Sequence, residues 1–219
     1  MQRKLFAAVL VFGLVLAILL FAFLKPKSVN PSGVDQQGAR FVFGPESATV
    51  TVVDFSNYLC PHCRDHALES LPLIKRDYID TGKIRYLVRD FPFPGQDNVV
   101  RAGEAAACAF DQGRFWEYHE ALYRAQDSWR DMSGKALDRF FVDVAGQLGL
   151  SGQEFSGCLD TGKKRAGVEA DQKLADRLGL RGTPTFYING ELFSGFMEYA
   201  RWKELLDKAL AGTPEKGAP

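Results

Sequence analysis

"VVDFSNYLCPHCRDH", residues 52–66, runs from a β-branched apolar stretch straight into two cysteines separated by a proline and a histidine. Cys60 and Cys63 at this spacing fit three chemistries: a redox dithiol, half of a metal site, or a pair of ordinary core thiols. The flanks narrow the choice. "ATVTVVDFS" (48–56) is apolar almost throughout residues 50–55, broken only by Thr51 and Asp54, which predicts a strand buried on both faces. After the cysteines, Ala67 and Leu71 stand four apart, as on a helix. Pro72 has no N–H to donate, so it is expected to kink or restart that helix. The two cysteines therefore sit where a buried strand hands over to a helix.

The rest of the chain bounds the classes of function. Its 219 residues leave room for one sizeable domain with an insertion. Lys+Arg and Asp+Glu are both 27, giving a formal net charge of zero. With no basic run, nothing points to nucleic acid as a partner. Four cysteines are too few for a disulfide-scaffolded mini-protein. Leu5 to Leu24 is an uncharged, proline-free apolar run, which as a helix would span about 30 Å, one hydrocarbon core. A cleaved signal peptide competes with a retained anchor. The run is longer than a signal core and "FAFLKPK" offers no small-x-small cleavage site, so residues 1–24 read as a transmembrane anchor or uncleaved signal. The flanking charges are nearly balanced and do not orient it. Residues 25–40, rich in Pro, Gly, Ser, Asn and Gln, read as a flexible linker.

The folded domain is expected over 41–212, with 213–219 a disordered tail. Ile84, Tyr86 and Val88 alternate as a second strand. From about 96 to 180 the periodicity is helical, with Gly149 and Gly179 as C-terminal stops. Phe115, His119 and Leu122 fall on one stripe, and His119 reads as packing or surface. Thr185 to Ile188 predicts a short strand, Asn189-Gly190 a hairpin turn with a return strand, and "EYARWKELLDKALA" a closing helix. Phe41 to Phe43 is a candidate edge strand. The fold class is α/β, with a helical block inserted between two halves of a sheet.

A strand-to-helix junction suits thiol exchange, because the thiolate is the attacking species. At a helix N-terminus the unpaired N–H groups and the macrodipole favour negative charge on Cys60. Pro61 is tolerated at the first helical position, and a protonated His62 would add a positive charge. The two-residue spacer lets Cys63 reach Cys60. "VVDFSNYLCPHC", together with "GTPTFYING" (182–190), resembles the DsbA-like thiol:disulfide interchange family of the thioredoxin-fold superfamily. The resemblance covers roughly residues 41 to 210. It implies a thioredoxin fold with an inserted helical subdomain and a Cys60–Cys63 pair that needs no organic cofactor. It implies that Asp54 is a buried acid exchanging a proton with Cys63, and that Thr183 and Pro184 form a cis-proline loop facing the sulfurs. Together with the apolar run at 5–24, it points to a membrane-anchored oxidase outside the cytoplasm, acting on reduced or unfolded exported proteins and reoxidised by a membrane-bound partner.

Two alternatives stay open beside it. A disulfide reductase or isomerase would use the same atoms at another potential. A surface-anchored metal-binding or metallochaperone module could draw on Cys60, Cys63, His62 and His66. Structural zinc usually needs two separated ligand pairs, and no second CxxC or HxxxH is present. Cys108 lies among alanines and Cys158 follows Phe155 at helical spacing, so both read as buried. They are either small core thiols or, as an oxidising compartment favours and some DsbA-like relatives resemble, a structural disulfide across the insertion.

Overall fold

The computed structural model describes residues 38–212. The expected anchor (1–24), nearly all of the linker (25–40) and the tail (213–219) lie outside the described residues. Among those described, no helix is long and apolar enough to cross a membrane.

Five strands form one sheet: β1 (Phe41–Phe43), β2 (Val50–Ser56), β3 (Ile84–Asp90), β4 (Thr185–Ile188) and β5 (Glu191–Ser194). Their order is β1-β3-β2-β4-β5. β2 pairs with β3 in parallel, and the other three pairings are antiparallel. The parallel pair requires a crossover. It is supplied by α1, residues 61–79. The short strands β4 and β5 need only the Asn189-Gly190 turn, where both residues take positive φ, 48° and 88°.

β2 is buried along its whole length, as its apolar run predicts. Period-2 alternation sends Val50 and Val52 to one face, against α1, and Val53 and Phe55 to the other. Asp54 shares the face of Val50 and Val52, and is therefore aimed into the main core beneath α1.

The helix α1 answers the expectation for Pro72 with a restart: a new α-helical segment opens at Leu71, with Pro72 in its first turn. Its α-helical segments Pro61–Asp65 and Leu71–Ile74 alternate with π turns at His66–Ser70 and Lys75–Ile79. The wide turn just before Leu71 leaves the backbone room for a residue that lacks an N–H and crowds the carbonyl four places back.

The inserted block contains α2 (Asp97–Asp111), α3 (Phe115–Arg124), α4 (Gln126–Trp129), α5 (Gly134–Gln147), α6 (Gly152–Asp160) and α7 (Arg165–Arg177); α8 (Tyr199–Gly212) closes the fold. These bounds match the predicted 96–180 block closely. α5 ends with Gly149 at φ +76° while Leu150 N donates to the Ala145 carbonyl, which uses an end-of-helix acceptor as a left-handed cap does. α1, α8 and most of the block pack on one face of the sheet, around buried Trp129, Trp202, Tyr118 and Phe141. On the other face, Ala175 from α7 packs with Val53, Phe55, Leu87 and Tyr187.

Cys108 on α2 and Cys158 on α6 are joined, with Cα atoms 5.9 Å apart and a sequence separation of 50. Cys108 is buried and Cys158 half-buried, so the bond ties the insertion internally, away from Cys60 and Cys63. Closing a loop of this length is worth roughly 4 kcal/mol in the chain-entropy model. Replacing both Cys108 and Cys158 by alanine should lower the urea midpoint of unfolding and leave the reactivity of Cys60 unchanged. Denaturant titration with parallel thiol alkylation measures both.

Candidate active site

The site is built at the end of β2. Asn57, one residue past the strand, is buried and links its own loop to the one that follows β3. Its side-chain amide donates to the Phe91 carbonyl at 2.9 Å and to Gln96 Oε1 at 2.7 Å, while its Oδ1 accepts from Leu59 N at 2.8 Å. Phe91 N in turn donates to the Ser56 carbonyl at 2.7 Å. These bonds set the path by which the chain enters α1.

Cys60 is the N-cap of α1, in extended conformation (φ −80°, ψ 124°), with Pro61 at the first helical position. Its sulfur is half-buried and Cys63's is buried. A hydrogen bond from the Cys63 thiol is the largest influence lowering the Cys60 pKa, from 9.0 to about 5. Burial opposes it. Thr183 and the backbone N–H groups of Cys63 and His62 assist it. Cys63 moves the other way: burial raises its pKa, and the neighbouring Cys60 sulfur raises it further. The pair thus divides into an accessible thiol that ionises readily and a buried one that holds its proton.

His62 departs from the expected arrangement. Its ring is 68% exposed and lies 3.5 Å from Asp65 Oδ2, and it is the backbone N–H of His62 that acts on Cys60. The reason is helical geometry: Asp65 stands three residues on, within reach of the ring along the helix surface.

The Thr183-Pro184 peptide bond is cis. The Thr183 carbonyl accepts a hydrogen bond from Cys60 Sγ at 3.2 Å, so this loop lies across from the helix start. Asp54 is fully buried. Burial pushes its pKa up to about 7, against the opposing bonds from Ser56 Oγ (2.5 Å) and Tyr86 hydroxyl (2.9 Å).

Five further residues carry no motif signal. Gln126, buried on α4, donates to the carbonyls of Tyr58 (2.8 Å) and Cys60 (3.2 Å), pinning the loop to the insertion. Tyr58 hydroxyl lies 2.9 Å from His119 Nδ1, which makes His119 a buried partner of the active-site loop. Asn57 and Tyr86 complete the set. Only their polarity inside apolar stretches could have flagged them in sequence.

The candidate metal ligands are not gathered. His62 faces solvent, whereas His66 is buried against Tyr86, 3.0 Å away. Among the described residues no group of three or more His, Cys, Asp or Glu side chains is placed to hold a metal ion.

At the opposite face, Arg40 pairs with Asp90 and with Asp171 (3.1 Å), and Arg89 pairs with Asp171 (2.8 Å). Gly103 on α2 lies so close that an added Cβ would stand 2.8 Å from Asp90 Oδ2. This buried cluster anchors the end of β3 next to the Asn57 loop.

Alkylation of the reduced protein should begin at Cys60, its rate rising with a midpoint near pH 5, while Cys63 stays unmodified in the native state; peptide mapping after a timed iodoacetamide pulse separates the two. Gln126→Ala frees two carbonyls of the loop and should raise that midpoint by disordering the helix start, without changing the disulfide at Cys108.

Comparison with known proteins places this geometry. The family model described as Thioredoxin matches residues 36–208. A probable disulfide bond formation protein D of Bacillus anthracis is 26% identical over 216 residues, covering 95% of this chain and 98% of that one. Disulfide bond formation protein D of Bacillus subtilis is 29% identical over 174 residues, 78% of this chain and 77% of that one. The solved structure of oxidised BdbD from Bacillus subtilis superimposes with a TM-score of 0.68 at 28% identity, covering 80% of this chain and 95% of that one. With a sulfur poised for exchange at the start of α1 and this kinship over most of its length, the chain belongs to the thioredoxin family as a DsbA-like thiol–disulfide oxidoreductase.

Proposed function

We propose that this oxidoreductase works as a disulfide oxidase for exported proteins, held at an extracytoplasmic membrane face by residues 1–24 through the 25–40 linker. The observation that carries the direction of reaction is the division between the sulfurs, with Cys60 lowered to about 5 and Cys63 raised. A stabilised Cys60 thiolate exists only when the pair is reduced, so it favours reduction of the enzyme and oxidation of the substrate.

In this reading a substrate thiolate attacks Cys60 Sγ. The Cys60–Cys63 bond breaks and Cys63 leaves as a thiolate that takes up a proton. Asp54 is the buried acid that supplies it. A second substrate thiolate then attacks the substrate sulfur of the mixed disulfide, and Cys60 departs as a thiolate. Two electrons have moved to the enzyme. A membrane-bound partner returns the pair to the disulfide by accepting those electrons. Thr183 and Pro184 present backbone groups to the incoming chain, and Pro61 and His62 hold the helix start from which Cys60 reacts. The names of the Bacillus relatives, both disulfide bond formation proteins, support oxidation over reduction.

The sign of the pH dependence follows. Cys60 is held below its ordinary value in the folded reduced protein. That contribution is full above the unfolded pKa of about 9 and is lost as pH falls through about 5. At pH 7 the reduced protein should therefore resist urea better than the oxidised one, with the gap closing toward pH 5. Cys60→Ser should abolish exchange, and Cys63→Ser should accumulate mixed disulfides on non-reducing gels. Equilibration with glutathione buffers tests the direction: a pair still oxidised in excess reduced glutathione would make the enzyme a reductase.

A further inference from the structure

A chain of hydrogen bonds runs from Asp54 away from the sulfurs, and an inference drawn from it rests on the proposal that Asp54 exchanges a proton with Cys63. Tyr86 hydroxyl on β3 donates to Asp54 Oδ2 at 2.9 Å. The same hydroxyl lies 3.0 Å from His66 Nε2 on α1, at the first residue of a π turn. All three side chains are buried. Asp54's other oxygen accepts from Ser56 Oγ at 2.5 Å.

A hydroxyl has one hydrogen to give. While Tyr86 gives it to an ionised Asp54, His66 must supply the hydrogen between Nε2 and the Tyr86 oxygen. Its Nδ1 is then bare, and Nδ1 is buried without a hydrogen-bond partner. The same heavy-atom positions accommodate a second arrangement. A protonated Asp54 donates to Tyr86, Tyr86 donates to Nε2, and His66 carries its hydrogen on Nδ1. The second arrangement holds one proton more than the first. It is reached when a proton arrives at Nδ1, the Nε2 hydrogen passes to the Tyr86 oxygen, and the Tyr86 hydrogen passes to Asp54.

We propose that Tyr86 and His66 are positioning residues for the proton on Asp54, forming a relay whose hydrogen bonds reverse as the acid is protonated, so that the tautomer of His66 follows the charge of Asp54. The titratable groups around the relay are Asp90 on β3, which raises Asp54; Tyr58 before α1 and Tyr123 on α3, which Asp54 acts on; Cys63 on α1, which acts on Tyr86; and His119 on α3, which acts on His66. Burial holds the His66 ring at about 3 and Asp54 at about 7. The ring is therefore neutral wherever Asp54 titrates, and changes only in which nitrogen bears the hydrogen. Phe186 and Trp202 lie against that ring at 4.7 and 5.4 Å between centroids and keep it in place.

The test is a titration of the full-length reduced protein labelled with ¹⁵N-histidine and ¹³C-aspartate. The expected result is that His66 changes from Nε2–H at high pH to Nδ1–H at low pH with the same midpoint as the Asp54 carboxyl. A ring that keeps one tautomer through that midpoint overturns the relay, since the proton then lodges on the Ser56 side. Tyr86→Phe, which removes only the hydroxyl, should fix His66 in one tautomer and move the Asp54 midpoint about one pH unit higher, because the carboxylate loses a donor. An unchanged midpoint with a still-switching ring also overturns it. The wild-type titration decides without any variant. The Asp54 reading is separated by the rate at which Cys63 resolves a Cys60–glutathione mixed disulfide. Asp54→Asn should remove the inflection near pH 7 from that rate, and an unchanged profile would refute Asp54 as the proton partner while the His66 spectrum still judges the relay.

Discussion

Burial of the Cys63 sulfur keeps its proton in place, and that proton is what the neighbouring sulfur uses. A thiol that cannot ionise in its apolar surroundings can still donate a hydrogen bond, and Cys60 receives it. The helix start adds N–H groups on the same side. Neither sulfur would behave this way alone: the difference arises because one sulfur reaches solvent and the other, three residues along the same helix, points into the core. Redox chemistry at this site is thus a consequence of how α1 sits on the sheet.

The scaffold holds that relation from several directions. β2 and β3, paired in parallel, fix the strand end from which Asn57 reaches to the Phe91 and Gln96 loop. The inserted helices contribute Gln126, whose amide ties down the carbonyls on either side of Leu59. Behind the sheet the Arg40–Asp90–Asp171 cluster closes the end of β3. Such buried ion pairs contribute little net stability, because desolvation offsets attraction, but losing one partner leaves a stranded charge. They suit a role in fixing geometry.

Much of this was legible from pattern. The apolar run of 50–55, broken only by Thr51 and Asp54, reads as a strand covered on both faces, and those surroundings argue for a buried Asp54. The Asn189-Gly190 pair announced its hairpin because few other residues accept two consecutive positive φ values. Two side chains find partners that the sequence does not show. The His62 ring, expected beside Cys60, turns to Asp65. His119 carried no partner in sequence, yet it meets Tyr58, 61 residues upstream. In each case the outcome depends on which groups become neighbours once the helix is placed.

The sequence by itself determined the element order, the strand-to-helix junction that carries both cysteines, and the apolar surroundings that draw Asp54 inward, because these follow from local periodicity and backbone chemistry. Only the tertiary structure decided which sulfur ionises, that Gln126 and Thr183 bear on it, and that Tyr86 and His66 stand behind Asp54. Those facts are set by burial and by hydrogen bonds between residues 20 to 123 positions apart, and the strength of an electrostatic interaction depends on the distances and solvent exposure that folding creates.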